Sequence, residues 1–426
     1  KETRMRSARP VVFGLLLAFA PGLAIASEGK FNLKDGDRVV FYGDSITDQR
    51  LYTAFAETFA VTRFPKANVT FVHSGWGGDR VTGGGGGPID VRLERDVIAY
   101  KPTVVSIMLG MNDASYQPFR DPIFNVYAKG YEHIVDKLKA DLPGVRLTLI
   151  KPSPYDDVTR KPKFEDGYNA VLIRYGDFVH ELASKSGSEF ADLNTLVTDA
   201  TKKAFESDPA LAEKLNPDRV HPAPGGQLLM AYALLKAWNA PSIVSSVAID
   251  VKDGKAMAAS AENTAVTDLT DADNVLAWTQ LDEALPFPID LKDPVTELAV
   301  RSSNIVTDLD RQVVKVVGLT GDLYSLTIDG EAVGNFTKAQ LEEGVNLALI
   351  LTPMSKQAAK VHQLTVKRAK IHNQRWRDVE VPYASYQKNP GFAQAIQGLD
   401  AIEAEAHQEQ RAAAQPKPHK FELKAR

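Results

Sequence analysis

The sequence predicts an α/β protein: a domain built on a parallel sheet covered by helices, followed by a smaller β-rich unit and a helical C-terminal extension. Two observations carry this. From residue 37 to about 240, short β-prone runs alternate with amphipathic helical stretches, the pattern of strands joined by helical crossovers. After Pro241 short strands and an Asp-Gly turn signal take over, and the last 35 or so residues become polar and rich in alanine and glutamine. The expected division is a signal peptide over 1–26, the α/β domain over 27–242, a β-rich accessory unit over 243–353, and a helical extension with a flexible tail over 354–426.

A chain of 426 residues, 44% apolar and 24% charged, has the makeup of a globular protein large enough for two domains. Its formal charge of −4 carries no long basic runs, which argues against nucleic acid and against an anionic membrane surface as partners. With no cysteine, disulfides, thiolate catalysis and cysteine-bound metal are excluded. Near the start, Arg4, Arg6 and Arg9 precede VVFGLLLAFA, Pro21 and Gly22 break that run, and AIA at 24–26 offers the small residues signal peptidase needs. Cleavage is predicted after Ala26, with export to the periplasm or the extracellular space. The apolar run over 11–20 is too short to cross about 30 Å of hydrocarbon at about 1.5 Å per residue, so no stable membrane insertion is expected after cleavage.

The first domain's strands are predicted at RVVFY, NVTFV, TVVSIML, VRLTLI and EFADL. Between them Tyr127, Tyr131, Ile134 and Leu138 share one helical face, and a last helix follows HPAPGG and runs through QLLMAYALLKAW. In the second unit SSVAIDV, KAMAASA and NVLAWTQL read as strands, and LYSLTIDGEAVG as a hairpin turning at Asp329-Gly330. Thr337 and Gln340 form a capping box opening a helix over KAQLEEGVNLALIL, and 355–377 reads as another helix. The end of the chain, AAAQPKPHKFELKAR, reads as a surface helix running into a flexible tail.

The stretch VVFYGDSITD at 39–48 ends an apolar strand in Gly-Asp-Ser and runs into Leu51, Tyr52, Phe55 and Phe59 at helical spacing, so Ser45 falls in a helix's first turn. Alone, a serine there reads as an N-cap. Three later stretches favour a nucleophile: GWGGD at 75–79 after the second strand, GMND at 110–113 after the third, and DRVHP at 218–222 before the last helix. Carboxyl ends of parallel strands share one edge, where open α/β folds build their sites. A serine hydroxyl needs a neighbouring base, and His221 is that base; Asp218, three residues earlier, can hold the other imidazole nitrogen. The oxyanion needs donors, supplied by the N–H groups of Ser45 and Gly78 and the side-chain amide of Asn112. Gly75 and Gly77 offer alternative amides, and the residues alone leave the choice among the three glycines open.

These four blocks, GDSIT, the glycine block, GMND and DRVHP, resemble in composition and order the signature blocks of the SGNH/GDSL hydrolase superfamily, over roughly 37–238. The resemblance implies a flavodoxin-like three-layer α/β/α fold and hydrolysis of carboxylic esters through an acyl-enzyme, with no metal or other cofactor. It implies Ser45 as nucleophile, Asp218 and His221 as its triad partners, and Gly78 and Asn112 in the oxyanion hole. His73-Ser74 stands where the superfamily often has an asparagine.

Elsewhere, His73 reads as a hydrogen-bonded structural histidine, and TGGGGGP at 82–88, lacking a Gly-Lys-Ser/Thr ending, as a mobile rim loop rather than a phosphate loop. Trp76 and Arg80 are candidate substrate contacts. DLTDADN at 268–274 lacks the glycine and glutamate of a calcium loop and reads as a turn. The leading expectation is a secreted serine esterase acting on a small-molecule or carbohydrate ester, acetylated carbohydrate first; the alternatives are a lysophospholipase or broad acyl-ester hydrolase, and a non-catalytic carbohydrate-binding or surface interaction protein.

Overall fold

The structure, a computed structural model, describes residues 30–253 and 255–426. The expected signal peptide lies outside them. Five strands, β1 (Arg38–Gly43), β2 (Thr70–Gly75), β3 (Val104–Met108), β4 (Arg146–Ile150) and β5 (Glu189–Ala191), form one parallel sheet in the order β2-β1-β3-β4-β5. Val40 pairs with Val72 on one side and Val105 on the other, all three buried, as a strand packed on both faces requires.

The helices flanking this sheet are α1 (Ser45–Asp48), α2 (Leu51–Arg63), α3 (Ile89–Asp96), α4 (Asp121–Asp141), α5 (Gly167–Ser186), α6 (Leu193–Ser207) and α7 (Pro224–Ala237). Tyr127, Tyr131, Ile134 and Leu138 are the buried face of α4, as their spacing predicts. In α7 every residue from Gly225 to Leu235 is buried, because the helix packs between α2 and α6. The result is the three-layer flavodoxin-like arrangement, whose strand order reverses direction between β1 and β3.

The second unit holds β6 (Ile243–Lys252), β7 (Lys255–Glu262), β8 (Thr264–Ala272), β9 (Val275–Asp282), β10 (Arg311–Val317), β11 (Leu323–Ile328), β12 (Glu331–Thr337) and β13 (Val345–Asn346). Its hairpin turns at Asp329-Gly330, both at positive φ, 53° and 79°. The DLTDADN stretch is not simply a turn: Asp268–Ala272 continue β8, and only Asp273 and Asn274, with φ of 54° and 62°, turn the chain into β9. The capping box of Thr337 and Gln340 is present, but its helix covers only Lys338–Glu343, because Gly344 adopts a φ of 109° and the chain then pairs as β13.

The extension comprises α8 (Pro353–Asn373), a π-helical continuation over Gln374–Glu380, and α9 (Pro390–Ala413). The expected flexible tail is instead β14 (His419–Ala425), the central strand of the sheet ordered β8-β9-β14-β11-β12. Phe421 and Leu423 alternate inward with Lys420, Glu422 and Lys424 outward, and Phe421 stacks on Trp278 at 5.0 Å. Among the described residues no helix is long and apolar enough to cross a membrane.

Candidate active site

Gly43 ends β1 where the chain must double back into α1. A Cβ on it would sit 2.3 Å from Thr47 Oγ1 and 2.7 Å from the Met108 carbonyl, so only glycine fits this approach. Asp44 then caps α1, its carboxylate accepting the Ile46 N–H at 3.0 Å. The competition between capping and chemistry is thereby resolved: the aspartate caps, and the Ser45 hydroxyl is left for another partner. Arg50, at a φ of 58°, separates α1 from α2, so Ser45 does not open the helix that carries Tyr52 and Phe59.

That partner is His221. The Ser45 hydroxyl lies 2.8 Å from His221 Nε2, and His221 Nδ1 lies 2.7 Å from Asp218 Oδ2. With Nδ1–H donating to the carboxylate, Nε2 is the acceptor toward Ser45. Asp218 Oδ1 also accepts the N–H groups of Val220 (2.9 Å) and His221 (2.7 Å), which fold the loop back on itself. Burial pushes the Asp218 carboxyl up, but these bonds outweigh it and hold the group below the usual carboxylate range. The His221 and Asp218 side chains are 34% and 56% exposed, open to an incoming molecule.

The second and third blocks meet beside this chain of bonds. Asn112 Nδ2 donates to the Asp79 carbonyl at 3.1 Å, while the Tyr116 hydroxyl donates to Asn112 Oδ1 at 3.0 Å, fixing which end of the amide faces the glycine block. Asp113 accepts the Val81 N–H at 2.9 Å and ties the same two loops. In the glycine block, Gly77 N–H donates to Asp48 Oδ2 at 3.2 Å and Asp79 N–H to the Trp76 carbonyl at 3.1 Å. Gly78, at a φ of 78°, and Ser45 keep N–H groups with no acceptor among the described residues. Asp79 itself is buried and takes Arg92 Nε at 2.7 Å, anchoring the loop from below.

Trp76 is placed differently from expectation. The Arg377 guanidinium lies over its ring at 3.4 Å and Trp376 meets it edge-on at 5.6 Å, so the indole is a seat for these residues rather than an open contact. Arg80 is exposed, and its charge acts on Asp113 and Tyr116 at the same rim. His73 is buried between Thr53 Oγ1 and Glu57 Oε2, both at 2.8 Å, as a structural histidine. The TGGGGGP stretch forms a small two-stranded ribbon, Gly83–Gly84 against Gly87–Pro88.

A cleft of about 390 Å³ opens at Ser45, walled by Asp48 and Arg50 on one side and by Asn373, Arg377 and Asp378 on the other. Every residue lining it is polar. No local feature of the chain marks the second wall, which comes from the extension more than 300 positions away, and none marks Tyr116, whose task depends on where its loop folds. Among the described residues no group of three or more His, Asp or Glu side chains is arranged to hold a metal ion.

Residues 41–229 match the model of the GDSL-like Lipase/Acylhydrolase family. A curated relative, an acetylxylan esterase from Geobacillus stearothermophilus, is 28% identical over 219 residues, 47% of this chain and 93% of the relative. A solved structure of a gut microbial diltiazem-metabolizing enzyme shares the fold at 24% identity, with a TM-score of 0.78 over 92% of this chain and 98% of that one. The solved Geobacillus stearothermophilus acetylxylan esterase Axe2 aligns at 26% identity over 49% of this chain and 96% of its own, with a TM-score of 0.40.

Proposed function

We propose that this carboxylic ester hydrolase, whose residues 41–229 form a GDSL-like lipase/acylhydrolase domain, is a secreted serine esterase removing a short acyl group, acetyl foremost, from a carbohydrate. The single observation that carries the mechanism is the bonded chain Ser45–His221–Asp218, at 2.8 and 2.7 Å. As the Ser45 oxygen bonds to the ester carbon, its proton passes to His221 Nε2, and Asp218 steadies the imidazolium. The carbonyl oxygen becomes an oxyanion held by the Ser45 and Gly78 N–H groups and the Asn112 amide. The bond to the alcohol then breaks, His221 returns the proton to the leaving oxygen, and water repeats the sequence on the acyl-enzyme to release the acid.

Two things support the short acyl group and the sugar. The cleft at Ser45 has only polar walls, whereas a long acyl chain needs an apolar groove. The curated relative is an acetylxylan esterase. Export rests on the signal-peptide pattern at 1–26.

The test is Ser45→Ala with p-nitrophenyl acetate. Turnover should fall by at least about a thousandfold, because the nucleophile is gone, with circular dichroism and melting temperature kept. Unchanged turnover would remove Ser45 from the mechanism. Across p-nitrophenyl esters of rising length, kcat/KM should drop beyond short chains, with lysophosphatidylcholine turned over poorly; a preference for long chains would favour the lipase reading.

A further inference from the structure

The cleft at Ser45 is closed on one side by a segment outside the matched domain, the π-helical turn Gln374–Glu380 together with Asn373. π-Helical geometry is rare and recurs at functional sites. Here it is pinned from behind: Trp376 is 1% exposed and donates from Nε1 to the buried Asp96 at 2.6 Å. With Trp376 fixed inward, Arg377 and Asp378 are delivered to the cleft, and Trp76 carries the Arg377 guanidinium on its face.

The chemistry of this wall is specific. Arg50 Nη1 is shared between Asp48 Oδ1 at 2.9 Å and Asn373 Oδ1 at 3.0 Å, and Arg377 Nη1 reaches Asp48 Oδ2 at only 3.5 Å. Asp48 is therefore satisfied, while both guanidinium forks keep further N–H donors and Asn373 keeps its amide donors. Asp378 is exposed and its carboxylate has no partner among the described residues. The charges balance, Arg50 and Arg377 against Asp48 and Asp378, so neither a phosphate nor an ammonium group gains from the site's net field. Donors and an acceptor side by side, without net charge, suit hydroxyl groups that both donate and accept.

Resting on the esterase reading above, we infer that Arg377 and Asp378 form a subsite for the alcohol portion of the ester, recognising vicinal hydroxyls of a neutral sugar ring. Trp76 acts on specificity through Arg377, as its support, rather than by stacking on the sugar. The extension is then part of the substrate site, supplying recognition that the matched domain lacks.

The experiment uses the full chain and two substrates sharing one acyl group, acetylated xylobiose and p-nitrophenyl acetate. The ratio of their kcat/KM values should fall about tenfold or more in Arg377→Gln and several-fold in Asp378→Asn, mainly through KM for the sugar ester, as loss of a charge-assisted hydrogen bond predicts. Inhibition by free xylobiose should weaken in the same variants. Asp378 is exposed, so its variant reads recognition with little risk to folding. An unchanged ratio in both variants, or a parallel fall for both substrates, overturns the subsite while leaving the Ser45 reading intact. Absence of any ester turnover by the unaltered chain overturns both.

Discussion

Asp44 shows how one residue can settle the role of its neighbour. It is 1% exposed, caps α1 through the Ile46 N–H, and burial pushes its carboxyl up to about 7 against a lowering by that bond. In the unfolded chain the same group titrates near about 3.9. Between those values the folded protein holds a proton that the unfolded chain has lost, so stability falls as pH rises from about 4 to about 7 and stays reduced above. Asp44→Asn keeps a good capping side chain and removes the titration. Thermal unfolding at pH 5 and pH 8 should therefore show a smaller loss of stability at the higher pH in the variant, by at most about 3 kcal/mol, since only the part of the titration above pH 5 is sampled. An equal loss in both proteins would show that Asp44 is not the group responsible. The sequence offered Ser45 as both cap and nucleophile; what it could not show was that Asp44 takes the cap, because that depends on the angle at which β1 enters α1.

At the scale of elements, α8 and α9 are bolted to the first domain by a buried ion. Glu57 on α2 accepts Arg368 Nη2 at 2.7 Å, Gln410 Nε2 at 2.7 Å and the His73 ring at 2.8 Å. Burial alone would raise the Glu57 carboxyl, but Arg368 first and His73 second bring it down to about 2. Its contribution is therefore present above the unfolded value and lost only as pH falls toward about 2. Arg368→Met strands this carboxylate and should cost about 3–5 kcal/mol, read as a lower urea midpoint. Adding Glu57→Gln should restore much of it; a double variant as unstable as the single would locate the damage in packing instead. The His73 pattern, a histidine at a strand end, was legible as structural. The cation that completes the network around Glu57 was not, since Arg368 lies 311 positions from Glu57 and no local periodicity links them.

For the whole molecule, the path of the chain decides how the extension can hold the cleft. After β13 the chain leaves the second unit, runs along α2 as α8, forms the cleft wall, returns through α9 and re-enters the second unit as β14. Both ends of the wall-bearing segment are thus fixed in sheets, through β13 on β10 and β14 between β9 and β11. The parallel sheet and the four converging blocks were readable because each is written locally, in apolar runs and short motifs. The closing strand was hidden by its surroundings: HKFELKA alternates cleanly, but it follows a polar, proline-bearing stretch that resembles a tail, and its partners lie at 275–282 and 323–328. Deleting 416–426 should therefore do far more than trim an end. It leaves β9 paired only with β8 and β11 only with β12, splits the sheet at its centre, and uncovers Trp278 and Ile328, which are 1% and 0% exposed. The expected result is loss of the single cooperative melting transition, binding of a hydrophobic dye, and aggregation on concentration. A truncated chain that melts once, at the parent temperature, and keeps the parent ratio of sugar to p-nitrophenyl ester turnover would show that the wall stands without its C-terminal anchor.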